Sequence, residues 1–321
     1  VIVRQATIAN AFPDEVNQFD QPTHLTLDKT EGRSRVLVAD YRKIWAVDLE
    51  TGKRTLFVDH KATCGNNLYG LTADHQSSRL YGMCAGESLY EYNLLDGQFE
   101  NTYNRITGLD SYYIQGLVLD RTNGRNQLVM LENVYGFKSG GNLMRFSLDT
   151  KEFSLISKGD SEPMLMNSFG SLVIDGDNYF IPSGGQHRDA NMHKIIKMNA
   201  LSGVGSIHSD NTTGSGVLFS ASLPDNSIAS LNGIVIDKKN NQLLVMESST
   251  SKIIAIDMTT GDRSLFKDIS YITDDYSSLS VIDLDLNEED DFVLMPDNNR
   301  GAILIIDLVT RERVILSKSE R

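Results

Sequence analysis

The feature that most constrains this chain is a four-strand pattern that recurs along it. In its clearest copy, Leu231–Phe266, four short runs rich in Val, Ile and Leu are separated by turns rich in Asn, Asp, Ser and Gly. Short apolar runs with such turns between them are typical of an antiparallel meander. A meander that recurs at a regular period is one unit of a repeat architecture, so the number of copies predicts the fold.

Six copies of the pattern can be counted. The aspartates that close the first strand of each copy are Asp28, Asp74, Asp120, Asp175, Asp237 and Asp285. Their spacings are 46, 46, 55, 62 and 48 residues. Six four-stranded units of this length predict an all-β fold, a six-bladed β-propeller, in which radial repetition leaves only short, protected edges. A β-sandwich with the same number of strands is the alternative, but it is not expected to repeat one motif six times.

We expect one propeller domain over residues 1–321. Its predicted blades lie near 23–59, 69–103, 115–157, 170–220, 231–267 and 280–317. Insertions over 134–141, 184–193 and 207–226 account for the two longest spacings, and such surface excursions often carry function. The strand-like start of the chain, within 1–20, either pairs with the last blade or stays outside it. The only tryptophan, Trp45, is expected to pack between blades.

Charge and hydropathy limit the partners. With 30 basic and 43 acidic residues the formal net charge is −13, which argues against nucleic acid and against an anionic membrane surface. No apolar run approaches the roughly 20 residues that span a bilayer, so membrane insertion is not expected. The chain begins at Val1, which indicates either a removed signal peptide or a trimmed sequence.

The two cysteines, Cys64 and Cys84, are placed by the repeat at neighbouring strand ends. Adjacent antiparallel strands bring those ends to the same edge of a sheet, so a disulfide is geometrically possible. Two separate buried thiols are the alternative. A disulfide would favour a secreted or periplasmic protein.

The first strand of each propeller blade lines the central channel, and a ligand site is expected at the concave channel mouth. The residues that begin the first strands are Thr23, Tyr69, Gln115, Gly170, Asn232 and Ser280. The residues that follow or end the second strands are Asp40, Ala85, Glu132, Ser183, Glu247 and Asp297. Within these sets, the ligand-binding candidates are Tyr69, Gln115 and Asn232, with His24, Glu132 and Glu247 beside them.

Each candidate also has a structural interpretation. An acid that ends a strand often caps the next turn, whereas four acids at one mouth would form a negative rim. His24 could act as a base, but a lone histidine at the start of a strand is more often structural. Amide and phenol groups both donate and accept hydrogen bonds, which suits hydroxyl-rich or carbonyl ligands.

The segment Asn232-Gly233-Ile234, followed by Asp237, resembles the NG-[IL]-x-x-D signature of NHL-repeat propellers and of the gluconolactonase/senescence-marker family. The general pattern, including the VAD sequence at Val38–Asp40, covers all six blades. The resemblance implies a six-bladed propeller. For the hydrolases of that family it also implies a divalent metal, usually calcium, held by a Glu, one or two Asn and an Asp.

The ligand set that the resemblance implies is matched only in part. Asn232 matches the family's Asn, and Gln115 could replace a second Asn. Thr23 stands where the Glu would be, and Ser280 stands where the Asp would be. Calcium takes six to eight oxygens, including carboxylates, and this ring has none. We therefore predict no cofactor, with calcium at Asn232 and Gln115 as what the resemblance would imply.

The sequence also contains three weaker motifs. The run beginning at Asp283 imitates an EF-hand loop but has Glu288 where the loop needs Gly. His187 and His193 share an insertion with an aspartate, at a spacing that fits no helical metal site. Asn211 begins a glycosylation sequon. Metalloprotease, serine-esterase and phosphate-loop motifs are absent from the sequence.

Two functions from different classes remain. The first is a binding module whose polar pocket and acidic rim hold a small polar ligand or a protein loop. The second is a metal-dependent hydrolase of the lactonase or esterase type. The missing metal-binding charges favour the binding module.

Overall fold

The computed structural model describes residues 17–30, 32–64, 67–84, 88–104, 112–134, 141–158, 171–184, 193–220, 230–247, 250–270, 283–287 and 291–319. These residues form six antiparallel sheets, each with four strands in sequential order. The predicted six-bladed β-propeller is therefore confirmed, with one sheet per blade, and the β-sandwich alternative is wrong. Within the same ranges, no helix is long and apolar enough to cross a membrane.

The chain divides into two compact units. Unit one comprises residues 1–103 and 279–321 and contains blades one, two and six. Its first blade has β1 (Pro22–Asp28), β2 (Arg35–Asp40), β3 (Lys43–Asp48) and β4 (Arg54–Asp59). Its second has β5 (Leu68–Asp74), β6 (Arg79–Cys84), β7 (Ser88–Asn93) and β8 (Phe99–Asn104). Its last, blade six, has β21 (Asp285–Asn287), β22 (Phe292–Asp297), β23 (Ala302–Asp307) and β24 (Arg313–Lys318).

Unit two comprises residues 104–278 and contains blades three, four and five. Blade three has β9 (Tyr112–Asp120), β10 (Gln127–Val134), β11 (Asn142–Ser147) and β12 (Phe153–Lys158). Blade four has β13 (Val173–Asp175), β14 (Asn178–Ser183), β15 (Lys194–Asn199) and β16 (Gly205–Asp210). Blade five has β17 (Leu231–Asp237), β18 (Gln242–Glu247), β19 (Lys252–Asp257) and β20 (Arg263–Asp268).

The recurring aspartate stabilises the turn between the first and second strands. Asp28 accepts hydrogen bonds from the backbone N–H of Thr30 (3.0 Å) and from Nε of Arg35 (2.7 Å). In blade five, Asp237 accepts from the backbone N–H of Asn240 at 3.2 Å. Asp and Asn favour turns because their short side chains can bond the backbone two or three residues on. This turn chemistry explains why the aspartate recurs in the sequence.

Blade six departs from the predicted register. In blade five, Asp237 pairs with the first residue of the second strand, Gln242. The residue of blade six that pairs in this way, with Phe292, is Asn287, and Asp285 lies two positions earlier. The prediction that Asp285 is equivalent to the other aspartates is therefore wrong.

The physical reason for this shift is a contact with the neighbouring blade. Oδ2 of Asp285 accepts the backbone N–H of Leu27 at 2.8 Å, and Oδ2 of Asp283 accepts that of Leu25 at 3.2 Å. Asp283, Asp285 and Asn287 alternate along the chain, so local sequence alone does not select the residue that closes the strand. Ser280, which was expected in the first ring, lies outside the described residues.

Apolar clusters between blades hold unit one together. One cluster joins blade one to blade two and contains Leu37, Ile44, Leu80 and Tyr92 among its buried members. A second cluster joins blade one to blade six, and Trp45 lies in it, with 4% of its surface exposed. The prediction that Trp45 packs between blades is confirmed.

Unit two is held together by apolar clusters and by a polar network. Blades three and four share one apolar cluster, and blades four and five share another. At the junction of blades three and four, the hydroxyl of Tyr179 donates to Oδ2 of Asp120 at 2.7 Å. Arg125 Nε also donates to that carboxylate, at 2.6 Å, and the pKa of Asp120 lies below its usual value because these donors outweigh burial.

A β-bulge in the outer strand recurs in both units. The residues skipped in the pairing of third and fourth strands are Phe57, Ile156, His208 and Leu316. The carbonyl of each one contacts a glycine in the following blade, in the pairs Phe57–Gly97, Ile156–Gly203, His208–Gly261 and Leu316–Gly52. A Cβ atom at any of these glycines would overlap the carbonyl oxygen, and each glycine has a positive φ. The bulge and the glycine therefore form one repeated blade junction.

The segment over 17–21 fastens the start of blade one to the end of blade six. The ring of Phe19 is 2% exposed, and the guanidinium of Arg54 lies 4.5 Å from its centroid. The Phe19 N–H donates to Oγ of Ser319 at 2.7 Å. Blade six takes all four of its strands from the C-terminal part of the chain. The predicted strand near residue 1 lies outside the described residues.

Candidate functional site

A second β-bulge lies at the start of the inner strand in several blades. In blade one, Pro22 pairs with Asp40 and His24 with Ala39, so Thr23 is skipped. The inner strands of blades two and five shift register at the same place, after the residues that pair with Cys84 and Glu247. In blade three the shift comes one residue later, because Gln115 pairs with Leu131 and Gly116 is the residue that is skipped. Bulges bend a strand and redirect its side chains, and they are common beside binding sites.

The bulge places three of the predicted ring residues at equivalent positions. Thr23, Tyr69 and Asn232 each follow the residue that pairs with the last residue of the second strand. Gln115 follows Ile114, which pairs with Glu132, two positions before the end of β10. Thr23 and Asn232 are buried and Tyr69 is half-buried. The side chain of Gln115 lies outside the described part of the chain, as do Gly170, Ser280 and Ala85. Convergence of these side chains on one cavity stays a prediction.

Thr23 shows what a ring residue does within unit one. Its hydroxyl lies 3.5 Å from the carbonyl oxygens of both Ala39 and Leu68. The hydroxyl therefore spans blades one and two, and it donates toward carbonyl groups rather than presenting a negative charge. A carboxylate at this position, as in the family hydrolases, would repel both carbonyls.

Asp40, at the end of β2, is an internal anchor. Its carboxylate accepts the backbone N–H groups of Asp20 (3.0 Å) and Gln21, and Nε1 of Trp45 donates to Oδ2 at 2.8 Å. Asp40 is 1% exposed, and burial raises its pKa although these donors oppose the change. Asp40 thus holds the segment that leads into β1.

Glu247, at the end of β18, anchors an incoming segment in unit two. Its Oε1 accepts the backbone N–H of Ser220 at 2.7 Å, and its Oε2 accepts the Ser220 hydroxyl at 2.9 Å. The hydroxyl of Thr250 also donates to Oε2. Both carboxylates, Asp40 and Glu247, therefore bind a segment of chain that precedes their own blade.

The other two strand-ending acids have partners within their own blades. Asn142 donates to Oε2 of Glu132 at 2.6 Å, and Arg300 pairs with Oδ2 of Asp297 at 3.1 Å. Both acids are fully buried. The four carboxylates face inward and accept protein donors, so the expected acidic rim is wrong for these side chains. The turn-capping interpretation fits Glu247 and Asp297, which accept from Thr250 and Arg300 in the turn that follows, but it does not fit Asp40, whose donors lie elsewhere. In each case a buried carboxylate needs hydrogen-bond donors.

His24 is 1% exposed, and burial lowers its pKa to about 4. Neither ring nitrogen has a hydrogen-bond partner of good geometry, although the nearby backbone of Leu68 favours the protonated form slightly. A neutral, enclosed imidazole is typical of a core histidine. Its proposed role as a base stays untested.

The predicted disulfide is confirmed. Cys64 and Cys84 are bonded, with their Cα atoms 5.8 Å apart. Cys84 pairs in register with Leu68, which immediately precedes the ring residue Tyr69. The hydroxyl of Tyr90 donates to the carbonyl of Thr63 at 3.1 Å, which fixes the same connection. The disulfide therefore fastens the start of β5 beside a candidate residue.

Sequence reasoning missed a strap over 211–220 that crosses to blade five. The Asn211 amide exchanges two hydrogen bonds with the backbone of Phe219, at 3.1 and 2.8 Å. The N–H of Arg263 donates to the carbonyl of Ser215 at 2.7 Å, and that of Val217 donates to the carbonyl of Arg263 at 3.2 Å. The side-chain amide of Asn211, the first residue of the predicted sequon, is thus already hydrogen-bonded within the protein. The length of the insertion predicted over 207–226 was the one signal of this strap in the sequence.

The described residues do not fit the calcium site of the family hydrolases. No group of three or more His, Cys, Asp or Glu side chains could hold a metal ion within the described ranges. At the expected positions they offer one amide, that of Asn232, and one hydroxyl, that of Thr23. Calcium needs six to eight oxygen ligands with compensating charge. His187 and its neighbouring aspartate lie outside the described ranges, and calcium binding stays an untested expectation.

Comparison with solved structures supports the fold. A chain from the crystal structure of a nidogen/laminin complex matches with a TM-score of 0.63 and 16% identity, covering 89% of this chain and 93% of that one. A Bacteroides thetaiotaomicron protein of unknown function matches with a TM-score of 0.64 and 14% identity, covering 90% of this chain and 69% of that one. No family model and no curated protein sequence matches. At these identities the likeness shows the propeller fold alone.

Proposed function

We propose that this protein is a non-catalytic binding module that holds a protein loop or a small polar ligand where its first strands begin. The observation that carries the proposal is the inner-strand bulge, which recurs in blades one, two, three and five. It redirects the strand at Thr23, Tyr69 and Asn232, and in blade three directly after Gln115. Hydroxyl, phenol and amide groups both donate and accept, so they suit a polar, uncharged ligand surface.

The acids nearby support binding rather than metal-dependent hydrolysis. Asp40 and Glu247 are occupied as anchors for segments of the chain. Recruiting either one as a metal ligand would release backbone N–H groups that it now satisfies, at a cost of about 1–3 kcal/mol for each buried donor left unpaired. The expected ligands are therefore molecules that form hydrogen bonds with the protein directly, without a bridging cation.

Two further observations support a protein partner outside the reducing cytosol. The nidogen/laminin structure is a complex of nidogen with laminin, and the chain from it is similar to this fold. The Cys64–Cys84 disulfide favours a secreted or periplasmic location, where such bonds persist. The net charge of −13 argues against nucleic acid and membrane surfaces as partners.

Titration calorimetry with calcium chloride tests the proposal against its alternative, a metal-dependent lactonase-type hydrolase with Asn232 and Gln115 as ligands. We expect no saturable micromolar binding and no hydrolysis of lactones or phosphotriesters. Single-site calcium binding that is lost in Asn232→Ala, with calcium-dependent hydrolysis, would overturn the proposal. The matched control is Asn101→Ala, since Asn101 is exposed on the outer strand β8.

A panel of monosaccharides, measured by saturation-transfer NMR, tests a small hydroxyl-rich ligand directly. If a sugar binds at this site, Asn232→Ala should weaken it about tenfold, the equivalent of one lost hydrogen bond. The melting temperature should stay nearly unchanged, because the strand pairing does not depend on this side chain. An equal loss in Asn101→Ala would count against the site.

A further inference from the structure

The turn between β2 and β3 in blade one contains an unusual backbone conformation. Asp40 pairs with Lys43, so the turn has two central residues, Tyr41 and Arg42. Tyr41 has φ +48°, in the left-handed region. Two-residue hairpin turns favour Gly, Asn or Asp at positive φ, because a bulky side chain there is strained. Strain of this kind is concentrated at functional sites.

The strained residue displays an aromatic ring with a cation against it. Tyr41 is 39% exposed, and the guanidinium carbon of Arg42 lies 4.7 Å from its ring centroid. The Nε atom of Arg42 is buried and has no hydrogen-bond partner, so a partner would reach the guanidinium through its two Nη groups. None of the ion pairs in the described ranges involves Arg42. The turn therefore presents a positive charge that no carboxylate of the described chain compensates.

The turn rests on a rigid base. Asp40, just before it, is buried and accepts three hydrogen bonds. The backbone N–H of His60 donates to the carbonyl of Arg42 at 3.1 Å. Lys43, just after the turn, has its Nζ 5.1 Å from the ring of the buried Trp45. A fixed backbone holds the aromatic ring and the guanidinium in place before any partner arrives, which lowers the entropy cost of binding.

Blade six offers an internal comparison. In its loop between β22 and β23, the left-handed position is occupied by Gly301, with φ +55°. Arg300 in that loop is paired with the strand-ending acid Asp297 at 3.1 Å. The turn of blade one is two residues shorter, has Tyr41 rather than a glycine at positive φ, and is preceded by Asp40, which is already occupied by donors from 20, 21 and 45. Arg42 is therefore left available.

We propose that the Tyr41–Arg42 turn is a docking point for an aspartate or glutamate side chain on an acidic segment of a protein partner. The guanidinium binds the carboxylate through two parallel N–H···O bonds, and the Tyr41 ring supports the guanidinium from below. The proposal rests on the binding function proposed above and names its partner chemistry. It also explains why a bulky residue is kept at a strained position.

The test uses the whole chain labelled with ¹⁵N and a blocked tetra-aspartate peptide as the probe, with tetra-asparagine as the matched neutral peptide. We expect tetra-aspartate to shift the Arg42 Nε–Hε resonance saturably, while tetra-asparagine does not. Arg42→Gln should weaken tetra-aspartate binding about tenfold, and Arg300→Gln, the matched control, should leave it unchanged. Equal binding by wild type and Arg42→Gln would overturn the proposal.

Two further measurements test the strain at Tyr41 and distinguish a protein segment from a small acid as the ligand. Tyr41→Asn should weaken peptide binding while leaving the melting temperature unchanged or raising it by about 1–3 °C, because Asn tolerates the left-handed region. A lower melting temperature would overturn the strain argument. If sodium acetate at equal carboxylate concentration binds as tightly as the peptide, the partner is a small acid and the protein segment is wrong. The calcium titration above fails or succeeds independently of these results.

Discussion

Phe19 and Ser319 lie 300 residues apart in the chain and exchange two hydrogen bonds. The backbone N–H of Phe19 donates to Oγ of Ser319 at 2.7 Å, and the same hydroxyl donates to the Phe19 carbonyl at 3.4 Å. Both residues are buried. One serine side chain thus joins the segment that enters blade one to the segment that leaves blade six. The two residues are neighbours in space within unit one, although nearly the whole sequence separates them.

We predict that Ser319→Ala lowers the free energy of unfolding by about 1–3 kcal/mol, because the buried N–H of Phe19 loses its acceptor. Phe19→Ala should cost more, about 3–5 kcal/mol, since it also empties a packed site beneath Arg54. Urea denaturation measures both. The exposed Val309→Ser serves as a control, and a Ser319→Ala variant as stable as that control would contradict this account.

Two variants of Trp45 separate the contribution of packing to stability from the contribution of hydrogen bonding. We predict that Trp45→Phe costs about 1–2 kcal/mol, because it keeps most of the buried ring but removes the Nε1 donor to Asp40. Trp45→Ala should cost about 3–5 kcal/mol. Chemical denaturation followed by circular dichroism measures both, since neither variant retains tryptophan fluorescence. Equal costs for the two variants would show that the hydrogen bond carries the effect.

Gly97 and Gly124 make a matched pair, because both have φ +77°. A Cβ atom at Gly97 would overlap the carbonyl of Phe57, whereas at Gly124 it would meet nothing within 4 Å. We predict that Gly124→Ala costs about 1 kcal/mol, from the left-handed backbone alone. Gly97→Ala should cost about 1–3 kcal/mol more, because the blade junction must open. Similar melting temperatures for the two variants would contradict the role of the bulge carbonyl.

Two buried histidines predict loss of stability in mild acid. Burial lowers the pKa of His24 and of His60 from 6.5 to about 4. The unfolded chain therefore binds protons between pH 6.5 and 4 that the folded chain does not, so stability falls as the pH falls through this window. Each histidine contributes at most about 3 kcal/mol. Burial raises the pKa of Asp40 and of Asp285, so these carboxyl groups bind protons more readily in the folded chain and oppose the loss.

The measurement is the free energy of unfolding in urea from pH 7.5 to 4.5. We expect a positive slope with pH that is reduced in His24→Leu and reduced again when His60→Leu is added. A slope that is the same in all three proteins would show that both imidazoles reach solvent before the chain unfolds.

The fold could be predicted from sequence because its determinants are local and repeated. Asp28 and Asp237 cap the same turn with the same short-range hydrogen bonds, so one signature marks blade after blade. The same register brought Cys64 and Cys84 to one edge and made a disulfide possible, and the structure shows it formed. Where several residues could serve, as with Asp285 and Asn287, the prediction was wrong by two positions, since a contact with Leu27 in another blade made the choice.

The candidate site could be predicted only as a set of positions. Sequence register placed Tyr69, Gln115 and Asn232 at equivalent strand starts, and the pairing agrees for Tyr69 and Asn232. It did not predict that Asp40 and Glu247 are occupied inside the fold. Nothing in the sequence near either acid identifies its backbone donors, of which Asp20 lies 20 residues before Asp40 and Ser220 lies 27 residues before Glu247.

The sequence by itself determined the number of blades and the turns within them, because strand alternation and turn chemistry act over a few residues. It brought Cys64 and Cys84 to one sheet edge, and the structure decided that they are bonded. Tertiary structure alone decided which polar groups remain available to a partner. A carboxylate such as Asp40 is unavailable to a partner once N–H groups from distant residues are hydrogen-bonded to it. A guanidinium such as that of Arg42 then has no carboxylate partner within the described chain. Such pairings depend on which segments the packed blades bring together, and that is a property of the folded chain.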